Sequence, residues 1–87
     1  MMDANQKKVL LVAFGSHLKL IREGRKVRSG KKISLRELER LSEIDYSQIH
    51  RIEKGQTAPS LLTLITLANA LKSSLADLIS FMDTNEL

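Results

Sequence analysis

Between Ser34 and Gly55 the chain has two helix starts with room for only a short turn between them, and no other stretch limits the possible folds so tightly. Ser34-Leu35-Arg36-Glu37 is a capping-box pattern, in which a serine hydroxyl accepts a first-turn backbone N–H and an acid three residues on reaches back. Leu35, Leu38 and Leu41 then give the inward face of a helix that should end near Ser42. Only Ser42, Glu43 and Ile44 precede Asp45, a second cap, with Gln48 placed to complete its box. Gly55, tolerant of positive φ, ends this second helix. Two short helices meeting through a three- to four-residue turn make a helix-turn-helix.

The second of these helices has two unlike faces. At 100° per residue, Ile49 and Ile52 share one side, while Ser47, His50, Arg51 and Lys54 occupy the other, with Tyr46 at the boundary. The outer face has no carboxylate at its centre. Such a face suits the major groove of DNA. Charge is distributed in the same sense: residues 1–54 carry thirteen Lys/Arg against seven Asp/Glu, a net +6, whereas residues 55–87 carry one Lys against three acids, a net −2. That asymmetry fits a polyanion-binding face, and equally a basic surface kept for solubility.

The rest of the chain supplies helices to hold this pair. Residues 1–6 are polar and read as a flexible N-terminus, followed by a domain over 7–82 and a C-terminal tail at 83–87. A first helix should begin near Gln6 or Lys7, with Leu10, Leu11, Phe14, Leu18 and Ile21 on one face. Gly15 within it costs about 1 kcal/mol relative to Ala, which points to close helix packing. Val9, Ala13 and Leu20 form a narrower opposite stripe, either scattered surface apolars or a contact with a partner helix or second subunit. The basic segment 24–32 holds Arg25, Lys26, Arg28, Lys31 and Lys32 without an acid; it can reach a phosphate backbone or remain a solvated loop. Ser34 and Leu35 begin a helix whose free N–H groups suit a phosphate.

Beyond Gly55, Ser60 caps a helix with Leu61, Leu64, Ile65, Leu67, Ala68 and Leu71 on a broad apolar face, expected to be the most buried of the domain. Ser74 with Asp77 caps a last helix, where Leu75, Leu78, Ile79 and Met82 repeat at helical spacing. Phe81 lies beside that stripe, as a partner contact or as core.

Several classes are excluded or disfavoured. Aliphatics, with two Phe, one Tyr and one Pro, argue for an all-α chain with no sheet. The absence of Cys removes disulfides and thiolate zinc sites. His17 and His50 lack metal-ligand spacing, so neither metal nor other cofactor is expected. The apolar run Val9 to Phe14 is too short for a signal peptide or a membrane span, so the expected setting is soluble and cytoplasmic. The acids Glu37, Glu39, Glu43 and Asp45 are explained by caps and helix surface, and no nucleophile–base pair or phosphate-cradling loop marks an enzyme. No small-molecule effector is evident.

The chain resembles the phage-repressor-like helix-turn-helix regulators, the XRE or Cro/cI-like family, over roughly Phe14 to Phe81. The resemblance is carried by Phe14-Gly15 with Ile21-Arg22, by Ser34-Leu35-Arg36-Glu37-Leu38, by Ile49-His50-Arg51-Ile52-Glu53-Lys54-Gly55, by Pro59-Ser60-Leu61, and by Leu67-Ala68-Asn69-Ala70-Leu71. It implies a compact five-helix, lambda-repressor-like domain with the helix-turn-helix at helices two and three. It also implies a transcriptional regulator that binds double-stranded DNA at a pseudo-palindromic operator as a homodimer.

By that resemblance Tyr46, Ser47 and Arg51 read bases, with Gln48 and His50 beside them, while Lys54, Gln56 and Thr57 join the phosphate contacts. Arg22 and Glu53 match positions that form an ion pair between the first and third helices. Dimer contacts are sought at Val9, Ala13, Leu20 and Phe81. A restriction-modification controller or an antitoxin is the near alternative, and a protein-interaction module on the same fold is the distant one. The chain departs from the family pattern at Glu39, where Ala is usual, at Glu43, where Gly is usual, and in the length of the basic segment 24–32.

Overall fold

The computed structural model describes residues 1–25 and 30–81. Its regular elements are five helices: α1 (Ala4–Gly24), α2 (Leu35–Ser42), α3 (Tyr46–Glu53), α4 (Leu61–Ala70) and α5 (Leu75–Leu78). The core joins Phe14 and Leu18 of α1, Ile33 before α2, Leu38 of α2, Ile49 and Ile52 of α3, Leu67 and Ala68 of α4 with Leu71 just after it, and Leu78 of α5. Helices α2 to α5 have ten residues or fewer, too short to hold in water alone, so burial of these aliphatics supplies most of their stability.

Helix α1 starts earlier than the apolar periodicity indicates. Asp3 accepts the Gln6 N–H at 2.8 Å, and the Gln6 side chain accepts the Asp3 N–H at 2.9 Å, a complete capping box that starts the helix ahead of its apolar stripe. Gly15 is at a close crossing, as its placement inside a helix implied. A Cβ there would lie 2.4 Å from the Glu53 carbonyl oxygen and 2.5 Å from that of Ile52, so only glycine lets the backbones of α1 and α3 approach this closely.

In α2 the Ser34 hydroxyl accepts the Glu37 N–H at 3.0 Å, but the Glu37 carboxylate pairs with Arg40 and leaves the box half made. Leu38 is fully buried and Leu35 half-buried, whereas Leu41, expected inward, is exposed. The buried face is centred between Leu38 and Ser42, and 100° geometry carries Leu41 to its edge. Ser42 is buried because its hydroxyl donates to the Leu38 carbonyl and accepts the Ile44 N–H. Glu43 takes φ 62°, the left-handed conformation that favours glycine. A Cβ there costs about 1 to 2 kcal/mol.

Helix α3 ends in a Schellman arrangement: the Gln56 N–H reaches the Arg51 carbonyl, the Gly55 N–H reaches that of Ile52, and Gly55 has φ 72°. A Cβ on Gly55 would also meet Val12 of α1 at 2.7 Å. The Lys8 ammonium donates to the Gly55 carbonyl at 2.9 Å, a cation at the negative end of the helix dipole.

Helix α4 is not the most buried element. Leu67 and Ala68 are buried, but Leu61, Leu62 and Ile65 emerge, with Leu62 at 75 % exposure. The helices packed on α4 are α2, of eight residues, and α5, of four, which are too short to cover its first turns. Helix α5 has both arms of its Ser74–Asp77 box but ends at Leu78, leaving Ile79 exposed where the spacing predicted continued helix. Met82 and the tail 83–87 lie outside the described residues.

Candidate nucleic-acid interface

The orientation of α3 is set from behind. Arg22 of α1 meets Glu53 with two bonds, Nε to Oε2 at 2.7 Å and Nη2 to Oε1 at 3.0 Å, and its Nη1 donates to the Ile33 carbonyl at 2.8 Å. Both side chains are almost wholly buried. The planar fork of arginine matches a carboxylate in this bidentate way, so the pair fixes rotation of α3 as well as distance. With Gly15 beneath it and Ile49 and Ile52 in the core, the helix is held against α1 from behind.

That position turns Ser47, His50, Arg51 and Lys54 to solvent, with Tyr46 at the margin of exposure and Gln48 half-buried. Asp45 accepts the N–H of Ser47 at 3.0 Å and also bonds the Ser47 hydroxyl. The Ser47 hydroxyl bond, then the backbone N–H groups of Ser47 and Gln48, hold the Asp45 carboxyl below its usual range. Gln48 does not return to complete the box that its spacing implied. Its place is taken from α2: Glu39 Oε2 accepts the Tyr46 N–H at 3.0 Å. A carboxylate at the positive end of the helix satisfies one otherwise unpaired amide. The departure from alanine at position 39 is thus a second cap on α3.

Arg36 lies over the same junction. Its guanidinium carbon is 3.7 Å from the centre of the Tyr46 ring, and its Nη1 is 3.5 Å from Glu39 Oε1. By sequence Arg36 is no more than part of a cap pattern. The Arg36-x-x-Glu39 spacing signals an ion pair on the α2 surface, but nothing local announces the ring, ten residues further on.

The remaining expected residues are distributed unevenly. Ser34 caps α2, and Leu35 packs partly against the core, so any anion contact at Leu35 belongs to its backbone. Lys31, Lys32 and Gln56 are exposed and Thr57 is half-buried. Arg25 donates to the Ser73 hydroxyl at 2.9 Å, which holds it at the α4–α5 connection. Lys26 and Arg28 lie outside the described residues. His50 and Lys54 also line an open groove between α3 and α1, walled by Val12, Lys19, Leu20 and Glu23.

Val9, Ala13 and Leu20 are exposed on α1, while Phe81 is half-buried, edge-on to Phe14 at 5.8 Å and beside His17. Among the described residues, no group of His, Cys, Asp or Glu side chains is arranged to hold a metal. Among them too, no helix is long and apolar enough to cross a membrane.

Comparisons with known proteins match the fold. A helix-turn-helix family model matches residues 21–78. Among solved structures, the chain is similar to the restriction-modification controller protein C.AhdI from Aeromonas hydrophila, with 34% identity and a TM-score of 0.67. That alignment covers 78% of this chain and 94% of the other. No curated protein matches the chain.

Proposed function

This chain belongs to the XRE-type helix-turn-helix family of DNA-binding transcriptional regulators, and on that premise we propose that it binds a pseudo-palindromic operator as a homodimer. The observation that carries the reading is the outer face of α3. It is cationic, exposed and backed by a buried bidentate ion pair, so its side chains are presented without loose motion of the helix. In this proposal Arg51 donates to guanine O6 and N7, a contact of about 1 to 3 kcal/mol in discrimination. Ser47 and Tyr46 read neighbouring bases, with Gln48 and His50 beside them. The amides at Ser34 and Leu35, together with Lys54, Gln56, Thr57, Lys31 and Lys32, meet phosphates and set register without reading sequence. Two recognition helices would stand about 34 Å apart, one turn of DNA.

Within this class, the similarity to a restriction-modification controller favours that role over an antitoxin. The protein-interaction reading has lost one of its supports, since Phe81 packs on Phe14. Selection from a randomised DNA pool at about 150 mM salt, near physiological ionic strength, tests the proposal with Arg51→Ala run beside the unaltered chain. Enrichment of a two-fold symmetric site that relaxes at one position per half-site in the variant is the expected result. Weak, sequence-blind binding unchanged by the substitution would overturn it.

A further inference from the structure

The Arg36, Tyr46 and Glu39 cluster is more ordered than a surface ion pair has reason to be. One carboxylate holds both other partners: Glu39 Oε2 takes the Tyr46 N–H at 3.0 Å, and Oε1 faces Arg36 Nη1 at 3.5 Å. The Arg36 guanidinium then lies over the Tyr46 ring with its carbon 3.7 Å from the ring centre. The guanidinium thus has the ring beneath it and the carboxylate beside it, while the Arg36 side chain is 70% exposed. Among the described residues its guanidinium makes no close hydrogen bond, which leaves donor N–H groups available at the solvent edge.

A free arginine loses several rotors when it binds. One already stacked on an aromatic ring loses fewer per hydrogen bond formed, and its fork is presented in a fixed plane. The location matters as much as the order. Tyr46 is the first residue of α3 and Arg51 is five residues further along, about 7.5 Å at 1.5 Å per residue. Five residues at 100° also turn the chain by about 140°, so the two arginines are presented at different points of the helix surface.

We propose that Arg36 is a second base-reading arginine, carried by α2 and held over the Tyr46 ring, and that it recognises a guanine at a different position of the half-site from the one read by Arg51. The inference rests on the operator reading above. It adds a specificity-determining residue outside the recognition helix. Glu39 has a positioning role, and its charge at the DNA face is offset by Arg36 and by the amide it caps.

The test is selection from a randomised duplex pool with the unaltered chain, Arg36→Ala, Arg36→Lys, Tyr46→Phe and Arg51→Ala, each checked for an unchanged thermal midpoint. Arg36→Ala should lose the guanine preference at one position per half-site, by roughly 5- to 150-fold in relative binding, at a position distinct from that relaxed by Arg51→Ala. Lysine retains the charge but not the planar fork, so Arg36→Lys should show the same loss. Tyr46→Phe retains the stacking ring and should keep the preference at the Arg36 position.

An even fall in affinity across all sequences, repaired by Arg36→Lys and accompanied by a shallower salt dependence, would identify a phosphate contact and overturn the proposal. An unchanged selected site in Arg36→Ala would overturn it while leaving the operator reading intact. Failure of the unaltered chain to select any site would overturn both.

Discussion

The two sides of α3 are built on different physics. The inner side is fixed by groups withdrawn from water: Ile49 and Ile52 in the core, Gly15 against two carbonyls, and the Arg22–Glu53 fork at 2.7 and 3.0 Å. The outer side is arranged by exposed polar groups, with Asp45 and Glu39 on the first amides and Arg36 over Tyr46. Exposed ion pairs contribute little to stability because water and salt screen them, whereas a buried charge that loses its partner has nothing to replace it. Substitutions behind the helix should therefore be read in folding, and substitutions in front of it in DNA selection.

The largest expected effect tests the buried side. Arg22→Ala strands the Glu53 carboxylate and the Ile33 carbonyl and should cost about 3 to 5 kcal/mol in chemical denaturation, whereas Arg51→Ala should change stability by less than about 0.5 kcal/mol. Equal effects from the two would erase the distinction. Next is Gly15→Ala. Helix propensity alone would stabilise it by about 1 kcal/mol, but its Cβ cannot pass the Glu53 and Ile52 carbonyls, and overpacking of this kind costs about 1 to 3 kcal/mol. The sign of the measured change decides whether the backbone contact is as rigid as the packing implies.

The smallest effect sharpens the outer side. Asp45 is held below its usual range by the Ser47 hydroxyl and then by first-turn amides, so its ionised form favours the fold. That stability is present above the unfolded pKa, near the ordinary carboxylate value of about 4, and is lost as pH falls through the lower folded value. Glu37, lowered chiefly by its bond to Arg40, acts in the same direction. Asp45→Asn keeps a capping oxygen that does not titrate. Denaturation midpoints compared at neutral pH and below the carboxylate range should show a shallower acid loss in this variant; an identical loss would assign the acid dependence elsewhere.

Much of the scaffold was legible because its signals are local. The caps at Ser34, Asp45, Ser60 and Ser74 engage first-turn amides two or three residues on, and Gly55 adopts the positive φ that its place after Lys54 required. Gly15 was legible as a residue too expensive for a helix interior without a close neighbour. The errors fell where local pattern competes with tertiary reach. The Asp3–Gln6 box lies ahead of the apolar stripe, so periodicity alone puts the helix start near Gln6 or Lys7, whereas α1 begins at Ala4. Leu41, Leu61 and Ile65 fit apolar stripes but exceed the area that short neighbouring helices can cover.

The sequence by itself determined the five helices, their polarity and the cationic face of α3, because helix periodicity and capping act over three or four residues and are written in residue type. Tertiary structure alone decided which carboxylate caps Tyr46, where Arg36 lies and how closely α1 approaches α3. Those contacts join residues seven to about forty positions apart. They depend on where one helix crosses another, and that crossing is set by the summed packing of the core instead of by any neighbouring residue.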